Sequence, residues 1–330
     1  MSSDKPRVSI GLPVLNGEEY LEEALDSILA QTYSDFELII SDDASTDHTQ
    51  RICRAYAVKD RRIRYYRNER TLGASKNFNR VFELSSGEYF KWAAHDDVLA
   101  PEFLRRCVSV LARDSSIVLC YSKIGRIDEY GALVGTYDYK MRLDSQKPHE
   151  RFGNLLGLYF PLYAIFGVIR ASALKMTLLI QNYIESDKNL LAEISLIGRI
   201  YEIPEYLFFR RAHPKAFSNM HYTRYQERWD WWAKAGKIRP IDRSTFIRCF
   251  PEYFKSVRRV PLKWTERQLC YAQISRWFIR EGWTWMGSDL YAIYKFLLCR
   301  SNLGRKLASA ADRVLRRLII LTIKKKNGVA

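Results

Sequence analysis

Residues 89–97, Y-F-K-W-A-A-H-D-D, join a mostly apolar run to two adjacent carboxylates. The run lies between Gly87 and Pro101, and its length and composition predict a buried strand. Neighbouring carboxylates at a strand end repel each other, so Asp96 and Asp97 favour a divalent cation, which takes oxygen ligands. Asp-Asp pairs also serve as helix caps and in solvated loops, and the pattern alone leaves both interpretations open.

A second acidic strand end precedes the first one in the chain. Residues 36–41, F-E-L-I-I-S, predict a strand that runs directly into Asp42 and Asp43. In open α/β sheets, ligands bind beyond the carboxyl ends of the strands. Two acidic strand ends on one sheet edge therefore predict a binding site there.

The first half of the chain alternates between strand and helix patterns. This alternation, with short connections, predicts an α/β fold with a mostly parallel sheet and helices on both faces. Neither a G-x-G-x-x-G stretch nor a P-loop is present, so a nucleotide bound here would be held by carboxylates and a metal. The predicted strands are residues 8–13, 36–41, 63–67 and 89–94, and the predicted helices are residues 18–31, 47–57, 76–84 and 101–112.

The alternation weakens beyond a further predicted strand at residues 117–122. Asp187 begins a helix predicted over residues 188–198, where it is either an ordinary N-cap or a base held in a cleft. Its position in the sequence does not separate these two roles. Short strands are also predicted at residues 165–169, 200–203 and 207–209.

The composition indicates a globular protein with an anionic partner. The chain has 330 residues, 47% of them hydrophobic, and 53 Lys and Arg against 37 Asp and Glu give a net charge of +16. The six cysteines form no CxxC pair, which favours reduced core thiols in a cytosolic protein over a disulfide framework. We expect no signal peptide, since residues 1–7 are polar, and no run approaches the length of a membrane-spanning helix.

The C-terminal third differs in composition from the rest. Residues 221–330 are rich in tryptophan and predict a helical appendage to a first domain at residues 1–220. Residues 300–330 carry nine Lys or Arg and one Asp, interleaved with apolar side chains. This is the pattern of a basic amphipathic helix at a membrane surface, although a solvated terminal helix packed on the body would also fit.

Six motifs in order give the chain a resemblance to glycosyltransferase family 2, the inverting nucleotide-sugar enzymes of GT-A fold. The resemblance covers about residues 5–215. The motifs are VSIGLPVLN at residues 8–16, DFELIISDDASTD at 35–47, NERTLGASKN at 68–77, SGEYFKWAAHDD at 86–97, ESDKNLLAEISLIGR at 185–199 and FFRRAHP at 208–214.

The resemblance implies a role for each candidate site residue. Asp187 would be the general base, while Asp97 and His213 would bind Mg²⁺ or Mn²⁺. Ala94 stands where the family's D-x-D-D motif has its first Asp, which leaves one carboxylate fewer for the metal. The residues that would bind the nucleotide are Pro13, Val14, Asn16, Asp42, Asp43, Lys76 and Asp96.

The implied function is transfer of a sugar from a nucleoside-diphosphate sugar, UDP being the expected nucleotide, to an acceptor hydroxyl in cell-surface glycan synthesis. The acceptor would be a glycan or a lipid-linked sugar. The enzyme would be cytoplasmic and would contact the inner face of the membrane through its basic tail. Two alternatives remain: a non-catalytic relative that binds sugar nucleotides or glycans, and a basic nucleic-acid-binding protein. No recognised nucleic-acid module is present, which disfavours the second alternative.

Overall fold

The computed structural model describes residues 5–138, 141–158, 163–214, 216, 245–283 and 286–287. The strands are β1 Val8–Val14, β2 Phe36–Asp42, β3 Ile63–Arg67, β4 Tyr89–Trp92, β5 Val98–Leu99, β6 Ile117–Ile127, β7 Leu133–Tyr137, β8 Val168–Arg170 and β9 Arg199–Arg211. The helices are α1 Leu21–Leu29, α2 Thr49–Lys59, α3 Ala74–Glu83, α4 Phe103–Arg113, α5 Pro148–Leu156, α6 Ala171–Leu174, α7 Ser186–Ile197, α8 Thr245–Arg259 and α9 Trp264–Trp277. A 3-10 turn, Tyr163–Phe166, precedes β8, and a π turn, Phe278–Gly282, continues α9.

The described strands form one sheet in the order β3-β2-β1-β4-β8-β6-β9-β5, with β7 paired to β6. Strands β3, β2, β1 and β4 run parallel to one another. The second half is mixed, because β8 runs antiparallel between β4 and β6, while β6 and β9 are parallel. The carboxyl ends of β2, β1 and β4 consequently lie side by side, as the sequence predicted.

Alternate side chains of each strand enter separate hydrophobic layers on the two faces of the sheet. On β2, Leu38 and Ile40 pack with α1, α2 and α4, whereas Ile39 belongs to the layer that includes α3, α5 and α7. This alternation follows from the two-residue period of a strand. The predicted α/β sheet with helices on both faces is confirmed.

Helices α8 and α9 complete the second of these layers. Phe246, Tyr253, Cys270 and Trp277 are buried in the same cluster as Phe90 and Trp92 of β4. Buried polar contacts add to this packing, since Glu193 of α7 pairs with Arg259 and accepts a bond from Ser256 at 3.4 Å. Residues 245–283 therefore pack on the sheet domain through a shared core.

Three local predictions differ from the structure. The predicted strands at 200–203 and 207–209 are one strand, β9, because the bulge at Pro204 only shifts the pairing from Ile203 to Tyr206. The strand predicted at residues 165–169 is present only in its second half, as β8 Val168–Arg170, because residues 163–166 form a 3-10 turn. Gly167 follows it, where an added Cβ would lie 2.6 Å from the Cys120 carbonyl oxygen. No helix was predicted at Pro148–Leu156, where the structure has α5.

Some expectations fall on residues that the structure does not describe. The basic tail at residues 300–330 and the whole aromatic stretch at 217–244 lie outside the described residues. In the part of the chain that the structure describes, five cysteines are buried and form no disulfide bond, which agrees with reduced core thiols. In the same part of the chain, the helices are too short or too polar to cross a bilayer.

Helices α5 and α7 run antiparallel, and each supplies a buried cation to the other's C-terminal end. Arg151 of α5 donates from Nε to the Ser195 carbonyl at 2.7 Å and from Nη2 to the Leu196 carbonyl at 3.4 Å. Lys188 of α7 donates to the Leu156 carbonyl at 3.3 Å. Carbonyls in a last helical turn have no partner within the helix, so these contacts satisfy them and complement the helix dipole. Burial lowers the pKa of Arg151 to about 10.

We expect Arg151→Met to lower the free energy of unfolding by about 3 kcal/mol, because it leaves buried carbonyls without donors. Urea unfolding would measure the change. Arg113→Met is a matched control, since Arg113 is exposed in the last turn of α4, and it should change stability by less than about 0.5 kcal/mol. Equal stability of the two variants would contradict the capping role.

Candidate active site

The predicted acidic strand ends meet at one edge of the sheet. Val14, the last residue of β1, is in register with Asp42, and its carbonyl accepts the Asp43 N–H at 2.8 Å. On the other side of β1, the Gly11 carbonyl accepts the Ala93 N–H at 2.8 Å, just after β4 ends. The sheet thus places β1 between the two carboxylate pairs.

Gly17 allows the loop after β4 to approach the loop after β1. A Cβ added there would lie 2.7 Å from His95 Cδ2 and 2.7 Å from a Val14 methyl. The His95 ring therefore covers the start of the first loop. The segment that carries Asp96 and Asp97 is held against the segment predicted to contact the nucleotide.

Asp42 and Asp43 are buried and organise the loops around them. Asp42 accepts the Ser45 N–H at 2.8 Å and the Tyr65 hydroxyl at 2.8 Å. Asp43 accepts a side-chain bond from Asn68 at 2.8 Å and backbone bonds from Leu72 at 2.7 Å and Gly73 at 3.0 Å. These carboxylates fix the loop between β3 and α3.

Asn16 and Ala44, in the loops beside the carboxylate pair, have positive backbone φ angles. Ala44 has φ 62° and Asn16 has φ 52°, in the left-handed region that most side chains avoid. Asn16 is stabilised there by the Thr46 N–H, which donates to its Oδ1 at 2.8 Å. Strain of this kind is found at binding sites, and here it shapes the loop that follows Asp43.

The remaining predicted nucleotide contacts surround the same edge. Pro13 and Val14 are buried at the end of β1, and Asn16 is exposed just beyond them. Lys76 is exposed in the first turn of α3, three residues after Gly73. Gly73 has φ 90° and donates to Asp43, so the start of α3 is tied directly to the carboxylate pair.

Asp96 and Asp97 have different partners, and the partners set their ionisation. His213 Nε2 lies 2.9 Å from Asp96 Oδ2. Burial opposes ionisation of Asp96, but this hydrogen bond and the nearby imidazoles lower its pKa below the usual value. Burial and the Asp96 charge instead raise the pKa of Asp97. Asp97 Oδ1 accepts the Arg211 N–H at 3.0 Å.

Arg211, at the end of β9, holds the segment of Asp96 and Asp97 in place through hydrogen bonds, a role that the sequence did not predict. Its buried guanidinium donates to the Asp96 carbonyl at 3.0 Å, to the Asp128 carbonyl at 3.1 Å and to Glu23 of α1 at 2.5 Å. It also lies over the Tyr20 ring, 4.8 Å from the centroid. One side chain therefore joins β9, α1 and the turn after β6 to the predicted metal loop.

Lys91 is a second residue whose surroundings were not foreseen. It lies fully buried on β4, where its ammonium donates to the Phe166 carbonyl at 2.5 Å and the Trp92 carbonyl at 3.2 Å. Burial lowers the pKa of Lys91 to about 7. The ammonium faces the Phe103 ring at 4.6 Å. Lys91 thereby ties the central strand to the 3-10 turn before β8.

Asp187 lies in the first turn of α7 and is partly exposed. Its Oδ1 accepts the Lys188 N–H at 2.9 Å, a local contact typical of a helix start. The preceding residue, Glu185, has φ 70°, so the chain turns sharply into the helix. The N-cap of α7 is Glu185, so Asp187 is an acid of the first turn and not the N-cap, and its role as a base stays a prediction.

The carboxylates suit a metal that is shared with a ligand. Among the described residues, no group of three or more His, Cys, Asp or Glu side chains is placed to hold an ion by itself. Mg²⁺ and Mn²⁺ prefer oxygen ligands, and Mg²⁺ commonly combines one or two carboxylates with substrate phosphates. Asp96 and Asp97 fit that arrangement. The Nε2 atom of His213 is engaged with Asp96, so this nitrogen would bind a metal by exchanging that contact.

We expect Asp43→Ala to weaken binding of the nucleotide by about tenfold and to lower the free energy of unfolding by about 2 kcal/mol, because three donors lose their acceptor. Calorimetric titration and urea unfolding would measure the two effects. Asp60 lies at the end of α2, before the amino end of β3 and away from the carboxyl ends of the strands. Asp60→Ala is therefore a control that should leave nucleotide affinity unchanged. An unaltered affinity in Asp43→Ala would contradict its predicted role.

Sequence comparisons relate the chain to glycosyltransferases. The profile of Glycosyl transferase family 2 matches residues 9–173. An uncharacterized glycosyltransferase of Rickettsia felis is 37% identical over 130 residues, which are 38% of this chain and 21% of the relative. One from Haemophilus influenzae is 28% identical over 222 residues, 66% of this chain and 68% of the relative. The matches therefore span a minor part of the first relative and about two thirds of the second.

Solved structures share the fold at low sequence identity. S. aureus TarS 1-349 in complex with UDP superposes with a TM-score of 0.59 and 16% identity, covering 89% of this chain and 82% of that chain. The mannosyltransferase PcManGT from Pyrobaculum calidifontis, in complex with GDP-Man and Mn²⁺, gives a TM-score of 0.50 and 16% identity, covering 88% and 86%. The likeness extends well beyond the segment that the family profile matches.

Proposed function

The chain belongs to glycosyl transferase family 2, with the GT-A fold, and on that premise we propose that it transfers a sugar from a nucleoside-diphosphate sugar to an acceptor hydroxyl. The observation that carries the proposal is the placement of two carboxylate pairs after the strands on either side of β1, with Asp42, Asp43 and Asp97 buried and Asp96 half-buried. The donor we propose is a UDP-hexose. UDP and UDP-GlcNAc are bound by the structural neighbour TarS, whereas PcManGT binds GDP-Man.

The proposed mechanism is a single displacement with inversion at the anomeric carbon. The acceptor hydroxyl attacks opposite the leaving diphosphate, and Asp187 accepts its proton as general base. Asp42, Asp43 and the loop they order hold the nucleotide. Arg211 keeps the Asp96 and Asp97 segment in place as the diphosphate leaves. A divalent cation bound at Asp97 would supply charge neutralisation for the leaving group.

The proposed acceptor is a glycan or a lipid-linked sugar in cell-surface glycan synthesis, with the enzyme peripheral on the cytoplasmic face of the membrane. The basic sequence of residues 300–330 supports membrane contact, because clustered Lys and Arg are attracted to anionic lipids. A lipid-linked acceptor cannot leave the bilayer. An enzyme held at the surface would therefore meet it readily.

A screen of nucleotide sugars by thermal shift, with and without Mn²⁺, tests the proposal, because a ligand that binds the native state raises its stability. The stabilising donor is then incubated with enzyme, and release of nucleoside diphosphate is measured. We expect stabilisation by a UDP-sugar that increases with Mn²⁺, and metal-dependent release of UDP. Stabilisation by GDP-sugars alone would overturn the choice of UDP.

One observation favours a non-catalytic relative as the second candidate. Ala94 removes a carboxylate from the expected motif, and Asp96 is already bonded to His213. Such a protein would bind a sugar nucleotide without breaking it. Stabilisation by a donor without any release of nucleoside diphosphate, in the presence of metal and a membrane extract as acceptor source, would favour this candidate.

A further inference from the structure

Helix α9 and the turn that follows it expose an apolar face on the side opposite the core. Trp264 is 71% exposed, Ile279 73% and Trp283 55%, and Leu269 and Met286 are exposed as well. The core side of the same segment carries Cys270, Ile274 and Trp277, which are buried. The segment therefore has exposed apolar side chains that packing within the chain does not use, on a side whose other exposed positions include the polar residues Thr265, Gln268 and Ser275.

The exposed side is also basic. Lys263, Arg276 and Arg280 are exposed, whereas neither acidic residue of the segment belongs to this face. Glu266 bonds His149 Nδ1 at 2.8 Å on the α5 side, and Glu281 is buried. Exposed tryptophan and isoleucine beside arginine and lysine, with no acidic residue of the same described segment on this side, make a surface that complements anionic lipid headgroups over acyl chains.

We propose that this face, formed by Trp264, Leu269, Arg276, Ile279, Arg280 and Trp283, docks the protein on an anionic lipid bilayer. Trp and Ile enter the boundary between headgroups and acyl chains, while the guanidinium groups contact lipid phosphates. The face is distinct from the basic tail at residues 300–330. This docking rests on the membrane association proposed above and adds a second contact to it, and docking itself requires neither donor nor acceptor.

The charges on this face argue against other occupants. A second copy packed through the same face about a two-fold axis would bring Lys263, Arg276 and Arg280 of both copies together without acidic partners. Residues 300–330 would meet the same repulsion, because they contain nine Lys or Arg and one Asp. An anionic bilayer attracts the basic side chains, and its apolar interior accepts the exposed Trp and Ile side chains. The observations therefore favour lipid.

Co-sedimentation of the full chain with vesicles tests the proposal. The vesicles are phosphatidylcholine alone or phosphatidylcholine with phosphatidylglycerol. Ile279→Ser/Trp283→Ser should raise the lipid concentration for half-binding by about tenfold or more, because apolar burial is lost. The matched control is Val58→Ser/Tyr130→Ser, since Val58 and Tyr130 are 89% and 86% exposed elsewhere, and it should bind as the parent does.

A second variant separates the electrostatic contribution and does not disturb apolar packing. Arg276→Gln/Arg280→Gln should weaken binding to phosphatidylglycerol vesicles by about tenfold at low salt and leave the weak binding to phosphatidylcholine nearly unchanged. Thermal melts of each variant check that it folds. No substrate is present, so the result is independent of whether the protein transfers sugar.

Two outcomes would overturn the proposal. If both variants bind vesicles as tightly as the control does, the face is not a membrane contact and the tail or another surface anchors the protein. If Ile279→Ser/Trp283→Ser converts a dimer to a monomer in light scattering and leaves vesicle binding unchanged, the face is an interface between copies of this chain.

Discussion

Asp97→Asn should reduce sugar transfer by about 10³-fold while the protein remains folded, because charge stabilisation of the leaving diphosphate is lost. Asparagine keeps an oxygen for the Arg211 N–H, which bonds Asp97 Oδ1 at 3.0 Å in the parent. The substitution removes the charge and preserves the local shape. Initial rates at saturating donor and metal would measure the effect.

The stability of this variant gives an independent check. Asp97 is buried beside Asp96, and repulsion and burial both raise its pKa, so neutralising it should leave the melting temperature unchanged or higher. A loss of activity together with a large loss of stability would indicate a structural role instead. Full activity with unchanged metal dependence would remove Asp97 from the proposed metal site.

Asp187→Asn should lower the transfer rate at saturating donor by about 10²-fold or more, while the affinity for the donor stays close to that of the parent. Asparagine can still accept the Lys188 N–H that bonds Asp187 at 2.9 Å, so the start of α7 is preserved. Asparagine cannot accept the proton of the acceptor hydroxyl. Rates and donor titrations on the same preparation would separate the two effects.

A structural and a catalytic role for Asp187 predict opposite results. An acid that only stabilises the first turn of α7 would affect melting temperature and leave the saturated rate unchanged, whereas a general base would affect the rate alone. Asn182→Ala is a suitable control, since Asn182 is exposed just before α7 and has no proposed part in the chemistry. If donor affinity collapses in Asp187→Asn with an unchanged saturated rate, the base must be sought elsewhere.

The sequence predicted the parts of the site that depend on strand order. Acidic residues after Ser41 and after the apolar run at residues 89–94 had to share an edge once their strands were parallel neighbours. The positions of β1, β2 and β3 also followed from local pattern. These features need only the polarity of successive residues, which is visible in the chain itself.

The contacts that hold the site could not be predicted in this way. Arg211 reaches Glu23, 188 positions away in the chain, and nothing local to either residue indicates the pairing. Lys91 interrupts an apolar strand, and only the fold places the Phe166 carbonyl where it can accept from the buried ammonium. The missed helix α5 depends in the same way on Arg151 and on packing against α7, because its own sequence contains Pro148 and Gly153.

The clamp made by Arg211 limits where the protein can be altered for practical use. The turn after β6 holds Tyr130, which is 86% exposed, and such a turn would ordinarily be chosen for inserting a peptide tag or for new chain ends. Its Asp128 and Glu129 carbonyls, however, receive the guanidinium that also binds the Asp96 carbonyl. Lengthening this turn would transmit a displacement to the segment of Asp96 and Asp97, so affinity tags and fluorescent labels belong elsewhere on the surface.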